Sequence, residues 1–151
     1  MEKTQNEIQK ERKAELEMLA DELLKKCGVA TLTSINDNGY PRTCVLGVAK
    51  GESFRDIYFI TGKRSDKAGK VPAFEKNPKA SVCFYSGCDS VTLSGDISFI
   101  SDKEEQKEIW NEGHRSFFKK GIEDPKFRLL KFHTKEATFW IQGKFRSCTY
   151  K

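Results

Sequence analysis

The chain has 151 residues and 17.3 kDa, with 37% hydrophobic and 32% charged residues and 11 phenylalanines, which predicts one domain with a real core. Mean hydropathy of −0.64, with no apolar run near the ~20 residues of a membrane helix, argues against a membrane-spanning helical protein and for a cytoplasmic one. A net charge of +5 dispersed among acidic residues, and five cysteines without a CxxC, argue against nucleic-acid binding and a zinc centre.

In chain order, Thr4-Gln5-Asn6-Glu7 reads as a capping box. Leu16, Leu19, Ala20, Leu23, Leu24 and Cys27 then recur at helical spacing, and Gly28 supplies the stop. Residues 1–28 are therefore expected to form an amphipathic helix lying on a barrel built by 29–151. Val29 to Ile35 reads as a strand, and Asp37-Asn38-Gly39 as a hairpin turn. Pro41 opens a second strand through Val48, Gly51 to Arg55 turns, and Asp56 to Thr61 is the third strand. Ser65 to Asn77 is expected to be helical but split by Pro72.

Ala80 to Tyr85 and Ser90 to Ile100 read as two more strands, with Gly95 marking a bulge or sharp bend. Ser101-Asp102-Lys103-Glu104 reads as a second capping box, opening a helix that carries Ile109 and Trp110 and stops near Gly113. After an irregular stretch, Phe127 to Phe132 and Ala137 to Gln142 read as the last two strands. Short turns between strands favour an antiparallel sheet closed, or nearly closed, into a small barrel.

The junction from Asp56 to Lys67, DIYFITGKRSDK, is the stretch richest in chemistry. A β-prone run ends at Gly62, a basic loop follows (Lys63, Arg64, Ser65), and a helix start is expected at Asp66. Free N–H groups and the positive end of a helix dipole would meet there. With Ser65 as cap and Lys67 as charge, this is where a phosphorylated small molecule is expected to bind. No paired-carboxylate or Ser/His/Asp pattern appears. His114 and His133 are expected to be ordinary loop and strand residues.

Several segments in this order resemble the FMN-binding split barrels of the pyridoxamine phosphate oxidase superfamily, and within it the general stress protein branch. They are Val29-Ala30-Thr31-Leu32, Gly39-Tyr40-Pro41, Phe59-Ile60-Thr61, Ser65 with Lys67, Asn77-Pro78, Leu93-Ser94-Gly95, Ile109-Trp110 and Gly121 to Pro125. The resemblance implies a mainly β, Greek-key antiparallel split barrel with peripheral helices, acting as a homodimer with FMN at the subunit interface. It implies Ile60 and Thr61 beside the flavin, Ser65 and Lys67 on the phosphate, and Cys44, Val45 and Leu46 along the ring or phosphate. Ser90 would contact the flavin, and Trp110 of the partner would wall the pocket. Many relatives carry arginine where Cys44 and Asp66 stand, and Arg42, two residues before Cys44, is placed to substitute.

The substrate segments of true pyridoxamine phosphate oxidases are missing. The implied activity is an FMN-dependent oxidoreductase acting on an unknown small molecule, with a reduced nicotinamide or similar electron donor. The alternatives are a flavin-binding stress protein without turnover (a store or sensor), or a barrel that holds haem or a deazaflavin.

Overall fold

The computed structural model of the chain describes residues 1–64 and 69–151. Helix α1 spans Gln5–Cys27. Its capping box forms as expected: the Glu7 N–H donates to Thr4 Oγ1 at 3.2 Å, and the Thr4 N–H to Glu7 Oε2 at 3.0 Å. It ends at Gly28, whose φ of 67° is left-handed and whose N–H donates to Leu24 O. Leu16, Ala20, Leu23 and Leu24 form its buried stripe and join the main core. Among the described residues, no helix is long and apolar enough to cross a membrane.

Among the described residues, seven strands form one antiparallel sheet: β1 (Val29–Ile35), β2 (Pro41–Ser53), β3 (Asp56–Gly62), β4 (Lys79–Ser86), β5 (Asp89–Ile100), β6 (Phe127–Ile141) and β7 (Lys144–Thr149). Their spatial order is β3-β2-β1-β4-β5-β6-β7, and β3 also pairs with β6. That pairing closes the first six into a barrel and leaves β7 as an appended strand. The run β4-β1-β2-β3 is a Greek key: three hairpin-linked strands, with the fourth returning beside the first. Alternation along the strands sends Leu32, Phe59, Val82, Leu93, Phe132 and Phe139 into the barrel.

Helix α2 (Lys70–Lys76) lies between β3 and β4, and helix α3 (Lys103–Ile109) follows β5. A second apolar cluster, with Ile109, Phe118, Phe127 and Leu129 buried, packs Tyr58, Ile60 and Trp110 outside the main core.

Several boundaries differ from the sequence reading. Pro72 does not split α2: it is the third helical residue, where a missing N–H breaks no intrahelical bond. The cap of α3 is Asp102, accepting from the Glu104 N–H at 3.1 Å, in place of Ser101. That helix stops at Ile109. The chain then enters 3-10 turns at Glu112–Ser116 and Gly121–Glu123. Strand β2 runs on to Ser53 with two register shifts against β3. The two expected final strands are one strand, β6, followed by the unforeseen β7. All five cysteines are free, with Cys44, Cys83 and Cys148 on strands.

Asp21 joins α1 to the barrel. Its Oδ1 accepts from the Phe54 N–H at 2.8 Å. Burial pushes its carboxyl pKa up, against the lowering effect of hydrogen bonds from Phe54 and Ser53. A carboxyl raised in the folded state favours folding in its protonated form, so its contribution falls as pH rises from the unfolded pKa through the folded one. Asp21→Ala should lose about 1–2 kcal/mol by stranding the Phe54 N–H. Asp21→Asn keeps an acceptor without the charge and should match or exceed the parent at neutral pH. Urea unfolding of both variants decides; an Asn variant as weak as the Ala variant would disprove the account.

Candidate functional site

Strand β2 alternates, so Arg42, Cys44 and Leu46 share the face that Val45 turns away from. Arg42 pairs in register with Ser34, and Cys44 with Leu32. Ser34 is 2% exposed, and the Cys44 thiol donates to the Leu32 carbonyl at 3.4 Å. A cleft of about 100 Å³ opens here, lined by Ser34, Arg42, Cys44, Gly62, Arg64 and the start of α2. It adjoins a second hollow that runs toward the Asn36–Asn38 turn.

Arg42, Arg64 and Lys70 line the cleft, and among the described residues no carboxylate does. Asp37, in the neighbouring hollow, is bound to Lys76 at 2.9 Å. Among the described residues, no hydrogen bond or ion pair engages the Arg42 guanidinium. The N-cap of α2, Gly69, has φ 100° and makes no side-chain capping bond. Guanidinium, ammonium and hydroxyl donors together suit a phosphate group.

The expected site residues fall into three groups. Arg42 and Cys44 meet at the cleft, and Leu46 follows them on the same face, against the core. Ser65 and Lys67, expected to hold phosphate, lie outside the described residues, as does Asp66. Ile60 and Thr61 end β3 but face opposite ways: Thr61 is buried, while Ile60 packs in the outer apolar cluster.

Val45 and Ser90 are on the barrel exterior, away from the Arg42 cleft of their own chain. Ser90 stands in one register row with Tyr85, Trp140 and Phe145, all three exposed aromatics. Trp110 packs within its own chain, edge-on to Phe127 at 5.4 Å and tilted against Phe118 at 6.3 Å. Its indole N–H donates to Glu112 at 3.2 Å. Hydrogen bonds from Arg115 and Trp110 hold the Glu112 carboxyl below its ordinary pKa.

Ser34 escaped the sequence reading. Its signal is a hydroxyl in the inward register of a strand whose other inward residues are Ala30 and Leu32. Gly69, the N-cap of α2, also escaped it, because the sequence reading put the helix start at Asp66, which lies outside the described residues.

Known proteins agree with this architecture. The family described as pyridoxamine 5'-phosphate oxidase like matches residues 15–150. No curated protein matches the sequence significantly. Among solved structures, the fold is similar to a Clostridium acetobutylicum protein related to general stress protein 26 of B. subtilis. That match has a TM-score of 0.77 and 19% identity, covering 89% of this chain and 94% of that one. General stress protein 26 from Bacillus anthracis gives a TM-score of 0.71 at 19% identity over 88% and 98% of the two chains. A haem-binding protein from Mycobacterium smegmatis gives 0.69 at 13% identity, covering 89% of this chain and 57% of that one.

Proposed function

This chain belongs to the pyridoxamine 5'-phosphate oxidase-like family, and from that premise we propose that it is an FMN-binding oxidoreductase of the stress-protein type, acting as a homodimer on a small molecule. The observation that carries the reading is the Arg42 guanidinium opposite Ser34, which has no partner among the described residues, in a cleft also lined by Arg64 and Lys70. These groups fit the phosphate of FMN. Arg64 and Lys70 line the same cleft, and the Ser65–Lys67 segment follows Arg64 in the chain.

The flavin would supply the electron transfer between a donor such as a reduced nicotinamide and an acceptor. The protein's own part is positioning. Arg42 fixes the phosphate end by charge, and Ser34 offers a hydroxyl at its side. The exterior row of Tyr85, Ser90, Trp140 and Phe145 is the face proposed to meet a second copy, which would set Ser90 against the partner's flavin. A substrate that carries pyridoxamine phosphate is not proposed, since the oxidase substrate segments are missing.

A haem reading takes its support from the M. smegmatis neighbour, and the histidines favour it less. His133 Nδ1 is bound to Asp56 at 2.7 Å, and His114 Nδ1 accepts from the Asn111 N–H at 3.2 Å. Neither lines the Arg42 cleft.

Purified protein should be yellow with an FMN spectrum, release FMN on denaturation, and elute at twice 17.3 kDa. Stopped-flow reduction of the flavin by NADH or NADPH separates an enzyme from a flavin store. Colourless protein whose melting temperature FMN does not raise would overturn the reading.

A further inference from the structure

Of the five free cysteines, the Arg42 cleft takes in Cys44. Two others, Cys27 and Cys83, line a separate hollow between the end of α1 and strands β1, β2 and β4. Cys27 is the last residue of α1, and Cys83 lies within β4. Among the described residues, Lys26 is the one charged side chain that lines this hollow.

The fold holds the two thiols to one side of β4. The Cys27 thiol donates to the Tyr85 carbonyl oxygen at 3.1 Å. Tyr85 stands two residues beyond Cys83, and alternation turns both to the barrel exterior, while Phe84 between them is buried. Burial pushes the Cys27 thiol pKa up, against the Tyr85 hydrogen bond and the charge of Lys26, and the Cys83 thiol is close enough to raise it further. Cys83 has a donor for a neighbour: the Thr92 hydroxyl donates to its sulfur at 3.9 Å, which favours a thiolate there. Both residues border open space, so the thiols can approach without displacing packed core.

We propose that Cys27 and Cys83 are a redox pair that hydrogen peroxide closes into a disulfide. Peroxide converts the Cys83 thiol to a sulfenic acid, its O–O bond breaks, and one water leaves. The Cys27 sulfur then attacks the Cys83 sulfur. The S–S bond forms, the S–O bond breaks, and the hydroxyl leaves with the Cys27 proton as a second water. The two sulfurs give up two electrons in all, and the peroxide oxygens take them. The bond ties the end of α1 to β4.

The test treats the reduced full chain with hydrogen peroxide, alkylates the remaining thiols and maps the digest by mass spectrometry. The oxidised parent should take up two fewer alkyl labels than the reduced one, with Cys27 joined to Cys83 within one chain, and dithiothreitol should restore both labels. In Cys27→Ser the Cys83 sulfenic acid should persist and take a dimedone label, whereas Cys83→Ser should show none at Cys27. Full alkylation of every thiol after peroxide overturns the proposal. So does a bridge from Cys27 to Cys88, in the turn after β4, or a bridge between two chains. The parent alone supplies that measurement, so it does not depend on how the variants fold. Neither cysteine lines the Arg42 cleft, so failure here leaves the flavin reading standing.

Discussion

Replacing Arg42 with alanine should weaken FMN binding about tenfold to a hundredfold, because a charged hydrogen bond contributes roughly 1.5–3 kcal/mol. Riboflavin, which lacks the phosphate, should bind parent and variant equally. That contrast matters more than the magnitude. Arg42 is exposed and has no protein partner among the described residues, so its removal breaks no internal bond. A uniform loss for both flavins would point to a changed fold instead of a lost phosphate contact. Arg42→Lys should recover part of the affinity, since it restores charge without the planar fork. Ser34→Ala should cost less than Arg42→Ala, because a neutral hydroxyl contributes the weaker kind of bond. Fluorescence titration with both flavins reads all four proteins, and equal FMN affinity in parent and Arg42→Ala would refute the assignment.

The sequence reading succeeded where local chemistry alone decides structure. The Thr4/Glu7 box and Gly28 bound α1 because caps act within a single turn. The strong alternation in β1 and β3 reflects one buried face and one exposed face. It failed where tertiary partners decide. Strand β7 carries Lys144, Arg146 and Ser147 and exposes Phe145, so its pattern looks like a tail; its pairing with β6 makes it a strand. Its one local signal is the two-residue turn at Gln142 and Gly143, both with positive φ, at 53° and 74°.

Of the expected site residues, Arg42 was named from the period of two, which places it on the face of Cys44. Val45, Ile60 and Trp110 were named by resemblance, and within one chain the fold places them apart from the Arg42 cleft. Alternation turns Val45 away from the cleft, while the outer apolar cluster takes in Ile60 and Trp110.

Gly95 was legible as a bend, and the structure shows why no other residue serves there. The register between β5 and β6 shifts between Ser94 and Gly95: Ser94 pairs with Glu136 but Gly95 pairs with Thr134, leaving Lys135 as the extra residue of a bulge. This bulge divides β6 by task. Its first half pairs with β3 and closes the barrel, and its second half pairs with β7. The bulge is tied down on both sides. The Thr134 hydroxyl donates to Phe54 O at 2.6 Å, and the Tyr150 N–H donates to Lys135 O at 2.7 Å. A Cβ on Gly95 would fall on the His133 carbonyl oxygen and lie 3.0 Å from Phe132 Cζ, in the middle of the core.

Neither neighbour can retreat cheaply. His133 O is backbone held between β3 and β5, and the Phe132 ring is fully buried. Gly95→Ala should therefore cost about 3 kcal/mol, the upper end of overpacking, and lower the melting temperature by roughly 6–12 °C. Ser94→Ala, one residue away on the exposed face, should change it little. Because the strain falls where β6 changes partners, amide exchange in Gly95→Ala should quicken first along the β3–β6 seam, and later in the β1–β2 hairpin. A Gly95→Ala protein that melts with the parent would show that the barrel does not depend on this close approach.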